Sequence, residues 1–368
     1  MAPFIRLHEQ ENISTASLIP RNHKIASKAI GAGEAIYKYA QIIGYASMDI
    51  EAGEHVHTHN VSFRNTQADY EFSTNLKQPL KPAKQDHFMG YRRENGKVGT
   101  RNYIGILTSV NCSATAARMI ASAFGPEEMA QYPNVDGVVA FVHGTGCGMA
   151  GQGEGFEALQ RVMWGYAKNP NHAGILMVGL GCEMNQIDWL LEAYGLKQGP
   201  LFQTMNIQDN AGLAHTVAQG IEKVRAMLPE ANKAQRVPCP ASSLMVALQC
   251  GGSDALSGIT ANPALGYACD LLVAQGGTAV LAETPEIYGA EHLLTKRAAT
   301  KDVGDKLISL IKWWEDYTAR NRGSMDNNPS PGNKKGGLTT ILEKSLGAAA
   351  KGGTTPLTGV YKYAETVT

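Results

Sequence analysis

The sequence predicts an α/β protein preceded by a small all-β module. Two observations carry this reading. Short alternating segments fill the first 63 residues, and strand-length apolar runs separated by helical patterns begin near residue 87. A third observation bears on chemistry: several of those runs end in a glycine-rich loop that holds a cysteine.

The first module, residues 1–63, contains FIRLHE, KIASKAI, AIYKYAQIIGYAS and HVHTHNVSF, with turn signals such as Ala52-Gly53-Glu54 between them. Residues 64–86 are polar, hold two prolines and lack periodicity, so they read as a linker. Strands are then expected at 103–110, 137–142, 174–180, 243–249 and 278–283. Helical patterns lie at Ala114–Phe124, Glu157–Tyr166, Gln186–Ala193, Ala211–Met227 and Ala264–Ala274. This alternation predicts a parallel α/β sheet covered by helices. A Pro/Gly-rich loop at 328–337 and a helix over Leu338–Ala350 follow.

Composition narrows the partners. The chain has 368 residues, with Lys plus Arg equal to Asp plus Glu at 33 each. Balanced charge without a basic run argues against nucleic acid and anionic membrane surfaces, leaving a small molecule as the expected partner. The N-terminus lacks a signal-peptide pattern, no apolar run reaches membrane-spanning length, and the six cysteines show no short-range disulfide spacing. A cytoplasmic protein with reduced thiols is expected.

Cys112, Cys147, Cys182 and Cys250 each follow an expected strand, in SVNCSA, HGTGCGMAG, GLGCEMNQ and LQCGGSD. The carboxyl ends of parallel strands converge on one edge, where ligands bind. Four thiols there suit iron or an iron–sulfur centre. Cys239 and Cys269 lack this pattern and read as structural. Glu54-His-Val-His-Thr-His-Asn60 offers a second metal site, because on a strand His55, His57 and His59 share one face. His23 and Asn12 are further polar residues of the module that this spacing does not require. Gly146–Gly151 matches G-x-G-x-x-G, but no acidic residue follows at the spacing a dinucleotide fold needs, so nicotinamide is not expected.

The stretches HVHTHN (55–60), GYRRENGKVGTRNY (90–103), VNCSA (110–114), HGTGCG (143–148), GLGCEMNQ (179–186), CGGSDALSGITANPALGYACDLL (250–272) and NPSPGNKKGGLTT (328–340) resemble the altronate/galactarate dehydratase family, in the same order. The resemblance implies a β-clip module of the SAF type at 1–63, a middle α/β domain at 87–236, and a Rossmann-like domain at 237–368. It also implies that family members continue beyond this point, so the last domain is expected to be incomplete. The implied reaction is dehydration of a sugar acid to a 2-keto-3-deoxy acid with Fe²⁺ or Mn²⁺, in a homodimer. A sulfo-lyase acting on a related hydroxy acid, and an inactive sugar-acid-binding paralogue, stay open as alternatives.

Residue type and motif then assign expected roles. His143, Glu183 and Asp254 are candidate acid/base groups. Arg92, Arg101 and Lys334 are candidate carboxylate binders, with Arg93 beside them, and Asn262 and Asn333 candidate partners of substrate hydroxyls.

Overall fold

The computed structural model describes residues 4–5, 8–16, 20, 22–64 and 69–367. Parts of the first expected strand (6–7) and of the expected linker (65–68) lie outside these residues. The chain forms two compact units: residues 1–85 with 244–360, and residues 86–243 with 361–368.

The second unit is built on a four-stranded parallel sheet in the order Gly137–Phe141, Tyr103–Thr108, His172–Gly179, Phe202–Asn206. The strands are parallel because a helix follows each of the first three and returns the chain to the same end. Alternation decides which side chain goes where. Ile104, Ile106, Leu176 and Val178 pack against Ala116, Ala117 and Ile120 of helix Ala114–Ser122 and against Val224, Met227 and Leu228 of helix Leu213–Ala231. Their neighbours Leu107, Ile175 and Met177 point the other way, onto Met163, Ile187 and Leu190. Both faces are therefore covered, and the strands read as nearly continuous apolar runs. A small antiparallel sheet, Val237–Pro240, His87–Arg92 and Val98–Gly99, completes the unit.

In the first unit, the N-terminal module forms two short sheets. One orders Phe4–Ile5, Ile13–Ala16, Lys24–Ala26 and His55–Val56; the other orders Ala35–Lys38, Gln41–Ala46 and Val61–Ser62. Strands Met245–Leu248 and Thr278–Leu281 pair in parallel, with helix Ala261–Ala274 between them in sequence. The module does not bury its own core alone. Ile13, Ile36, Ile43 and Val56 share one cluster with Ile287, Leu294, Leu307, Ile311, Ile341 and Leu346. A linear reading separates 1–63 from 237–368, whereas burial of these shared apolar faces joins them.

The expected helix after residue 338 forms as Ile341–Ala350, and every residue from Ile341 to Ala349 is buried. Its cap is Thr340, whose hydroxyl accepts from the Glu343 amide. Strand Phe202–Asn206 and helix Lys301–Arg320 are among the elements that escaped the sequence reading. The helix has an interpretable code. Thr300 caps it, Asp302 lies in its first turn and Arg320 in its last, and Gly304, Leu307 and Ile311 line its buried face. Among the described residues, no helix is long and apolar enough to cross a membrane.

Candidate functional site

The most convergent polar centre lies in the first unit, where strand Lys24–Ala26 pairs antiparallel with His55–Val56. His23 immediately precedes the first of these strands. Its Nδ1 stands 2.9 Å from His55 Nε2, and its Nε2 stands 3.1 Å from the Lys335 carbonyl oxygen. The His23 and His57 ring centroids are 4.2 Å apart. One ring nitrogen from each of His23, His55 and His57 lies within 4.8 Å of the others. Asn60, fully buried, fixes this geometry: its Oδ1 accepts from the His57 amide at 2.9 Å and its Nδ2 donates to the His55 carbonyl at 2.9 Å.

Burial and neighbouring charges favour the neutral forms of His57 and His55. Burial, then the positive charges near His23 and Lys24, lower the His57 pKa to about 4. Burial and the neighbouring His23 and His59 rings lower that of His55. A neutral imidazole keeps the lone pair that a metal ligand needs. His57 Nδ1 is buried and has no hydrogen-bond partner. A donation from His23 Nε2–H to the Lys335 carbonyl leaves the Nδ1 lone pair facing His55 Nε2, and a histidine that donates its other ring N–H to a carbonyl has the usual orientation of a metal ligand. The three rings therefore fit a divalent cation.

The expected ligand set differs by one member. His55, His57 and His59 share a face only on a continuous strand, but the strand ends at Val56 and residues 57–60 form a turn. His59 is exposed, its ring 5.3 Å from His55, and His23 takes the third place from a partner strand. Asn12 does not join, since its amide is bound to the Ala35 carbonyl and the Tyr37 amide.

Beneath the histidines lies a charged triad that sequence reasoning missed. Lys24 and Lys38 each place Nζ 2.8 Å from a different Glu343 oxygen, and all three side chains are at most 2% exposed. Lys24 also donates to the Gly337 carbonyl, Lys38 to Ala255, and Thr339 to Glu343. The signal was present: Glu343-Lys344 interrupts an otherwise apolar helix, and Lys24 sits at an inward position of its strand.

A small pocket opens at the carboxyl ends of the paired strands Met245–Leu248 and Thr278–Leu281. Cys250, Ser253, Asn262, Glu286, Lys344 and Lys351 line it. Lys344 binds Glu286 Oε1 at 2.8 Å, while Glu286 Oε2 is buried without a partner. The short helix Pro331–Lys335 ties this pocket to the histidines. Asn333 Nδ2 donates to the Ser253 carbonyl at 2.8 Å, and the Lys335 carbonyl meets His23. A broader groove of the same unit, near Tyr70 and Tyr288, has these phenols already engaged by Glu291 and Glu315.

The remaining expected residues divide between the units. Asp254 Oδ1 accepts from the Leu256 and Ser257 amides and the Ser257 hydroxyl, so it closes a turn. Asn262 donates to the Gly347 carbonyl at 2.9 Å. Lys334 lies half-buried in the last turn of helix Pro331–Lys335. Arg92 and Arg101 are exposed in the second unit, and Arg93 there is bound to the Pro170 carbonyl and to Asn102. His143 has both ring nitrogens on backbone, with Nε2 2.8 Å from the Thr108 carbonyl and Nδ1 accepting from the Thr145 amide at 3.3 Å. Glu183 is 2% exposed, and its carboxylate accepts from Ser109 Oγ and the Leu180 and Gly181 amides. Both residues brace loops in this structure.

Those loops carry three of the four expected thiols. Cys112, Cys147 and Cys182 are exposed and follow three strands adjacent in the sheet. Cys250 belongs to the other unit, where its sulfur lies 2.9 Å from Ser253 Oγ. Gly146 lets the second thiol loop close onto the first. Its φ is +102°, and an added Cβ would lie 2.5 Å from the Ser109 carbonyl oxygen. Gly146→Ala is therefore expected to cost about 1–3 kcal/mol, read as a lower denaturant midpoint.

Fold and sequence comparison together define a two-unit α/β enzyme of the carbon–oxygen lyase class. Three family profiles match in order: the altronate/galactarate dehydratase SAF domain at 4–64, the D-galactarate dehydratase/altronate hydrolase second domain at 90–232, and the D-galactarate/altronate dehydratase C-terminal domain at 241–368. The chain belongs to the altronate/galactarate dehydratase family. It is 34% identical to altronate dehydratase of Bacillus subtilis (strain 168), over 99% of this chain and 76% of the relative. It is 35% identical to altronate dehydratase of Escherichia coli (strain K12), over 97% and 71%. It is 38% identical to galactarate dehydratase (L-threo-forming) of Escherichia coli (strain K12), over 91% and 66%.

Proposed function

We propose that the chain dehydrates a sugar acid of the altronate or galactarate type to a 2-keto-3-deoxy acid, with the reacting end of the substrate at His23, His55 and His57. The observation that supports this most is the convergent trio of imidazoles with the buried, unpartnered His57 Nδ1. A divalent cation such as Fe²⁺ or Mn²⁺ held there would supply Lewis acidity to the oxygens of the hydroxy acid.

In the reaction, C2 loses a proton and C3 loses its hydroxyl, which leaves as water after gaining a proton; the resulting enol tautomerises to the 2-keto acid. The chain must hold the hydroxyls, move the protons and keep its own charges fixed. The pocket beside Ser253 suits the first task. Substrate hydroxyls both donate and accept, and Glu286 Oε2 awaits a donor while Lys344, Lys351 and Asn262 offer N–H groups. His59, at the solvent edge of the histidine cluster, is placed to carry a proton. The Lys24–Glu343–Lys38 triad anchors strand Lys24–Ala26, next to His23, and strand Ala35–Lys38 to helix Ile341–Ala350.

Anaerobically purified protein given Fe²⁺ or Mn²⁺ and altronate or galactarate is expected to accumulate a product one water lighter, measured by mass spectrometry. Sulfite release from a sulfonated hydroxy acid would favour the sulfo-lyase reading instead. Ligand binding by calorimetry without product from any of these acids would refute turnover. Glu286→Gln is expected to raise KM by about 10-fold, since a hydrogen bond to a charged group contributes about 1.5–3 kcal/mol; kcat should change less.

A further inference from the structure

We propose that Cys112, Cys147 and Cys182 are the three protein thiolates of an iron–sulfur cluster at the carboxyl edge of the second unit's sheet, with one iron left without a protein sulfur. This centre is separate from the histidine cluster and does not depend on the reaction assigned there.

Topology makes the first argument. Strands Gly137–Phe141, Tyr103–Thr108 and His172–Gly179 are consecutive in the sheet, and each delivers one thiol in the loop just beyond its end. Parallel strands stand about 4.8 Å apart, so these loops meet over the central strand. They are also joined by hydrogen bonds. The Asn111 amide donates to the Thr145 carbonyl at 2.8 Å, and the Met184 amide donates to the Cys147 carbonyl at 3.0 Å. Asn185 Nδ2 reaches the Ser109 carbonyl at 2.9 Å. Glu183, saturated and buried, locks the third loop from beneath. The sulfurs sit on a rigid frame.

Exposure makes the second argument. Free cysteines are usually buried as small apolar side chains, as Cys239 and Cys269 are here. Three thiols open to solvent at one edge are not explained by packing.

Spacing argues against a single ion. Among the described residues, only the histidine trio brings its ligand atoms within 4.8 Å of one another, so at least one pair of the three sulfurs stands further apart than that. A single tetrahedral ion with metal–sulfur bonds of about 2.3 Å draws its sulfurs closer than that. In a cluster, inorganic sulfide lies between the irons, and the protein thiolates stand further apart. With three thiolates from the protein, the solvent side is left for an exchangeable ligand.

The test is anaerobic reconstitution of the full chain with an iron salt, sulfide and dithiothreitol, followed by desalting. Iron and acid-labile sulfide should be retained in equal amounts with visible charge-transfer absorption. Cys112→Ser, Cys147→Ser and Cys182→Ser should each lose most of the sulfide and the absorption while circular dichroism stays unchanged. Cys250→Ser and His57→Ala should keep both. The proposal is overturned if the unaltered chain retains iron without sulfide, if two of the three thiols form a disulfide instead, or if Cys250→Ser loses the cluster equally.

Discussion

Glu343→Gln is expected to destabilise the first unit by about 3–5 kcal/mol, the usual consequence of removing one partner of a buried ion pair. Lys24 and Lys38 are at most 2% exposed and converge on this one carboxylate. Without it, two ammonium groups remain in the interior with the Gly337 and Ala255 carbonyls and the Tyr39 side chain as partners. Burial alone would raise the Glu343 pKa, but the two lysines hold it down at about 2. Burial drives Lys24 the other way, to about 8, despite the attraction of Glu343. The pH dependence follows from these directions. The contribution of Glu343 is complete above its unfolded value of 4.5 and is lost as pH falls toward 2. Lys24 is protonated more readily in the unfolded chain, so its penalty eases as pH rises from about 8 to 10.5. Thermal and denaturant unfolding of Glu343→Gln at pH 7 checks the magnitude. Replacing all three residues by apolar ones of similar volume separates charge from packing, and should recover most of the loss. A midpoint in Glu343→Gln equal to that of the unaltered chain would mean the lysines shed their charge at no cost.

What was legible in the sequence was local, and what was not was the meeting of distant segments. Apolar runs of strand length gave the parallel strands at 103–108, 137–141, 172–179, 245–248 and 278–281 close to their observed bounds, and for 103–108 and 172–179 the cause is near-continuous burial on both faces. Strand Phe202–Asn206 escaped because FQTMN has only half-buried positions apart from Met205. The thiol loops were legible as strand ends, and three of them do gather. Cys250 has the same local signature, but its strand belongs to the other unit, a fact that no spacing encodes. His143 and Glu183 looked like free acid/base groups beside the thiols. Their distant partners, the Thr108 carbonyl for His143 and the Ser109 hydroxyl for Glu183, lie on the end of the neighbouring strand and meet them only after folding. His23 illustrates the reverse. It is 32 residues from His55 in sequence and 2.9 Å away in space, through an antiparallel pairing that the register of two very short strands decides.

His57→Ala is expected to abolish binding of a divalent cation at the histidine cluster and to lower turnover of a sugar acid by about 100-fold or more. The reasoning starts from geometry. His57 brings the one ring nitrogen that is buried and has no hydrogen-bond partner, while the His23 and His55 nitrogens already face each other at 2.9 Å. Two imidazoles alone give a weak site, and the third makes it closed enough to outcompete water. Lewis-acid assistance contributes several kcal/mol to deprotonation beside a carboxylate, and every 1.36 kcal/mol is a factor of ten in rate. Removing the ring should not unfold the module, because Asn60 holds the turn through the backbone of residues 55 and 57. Calorimetric titration with Mn²⁺ reads the first effect and single-turnover product formation the second. His59→Ala is the informative companion: it should leave cation binding intact and lower turnover alone, since its ring stands outside the trio at 5.3 Å from His55. If His57→Ala binds Mn²⁺ as tightly as the unaltered chain, the histidines are not the ligands, and the dehydration chemistry must be sought elsewhere in the fold.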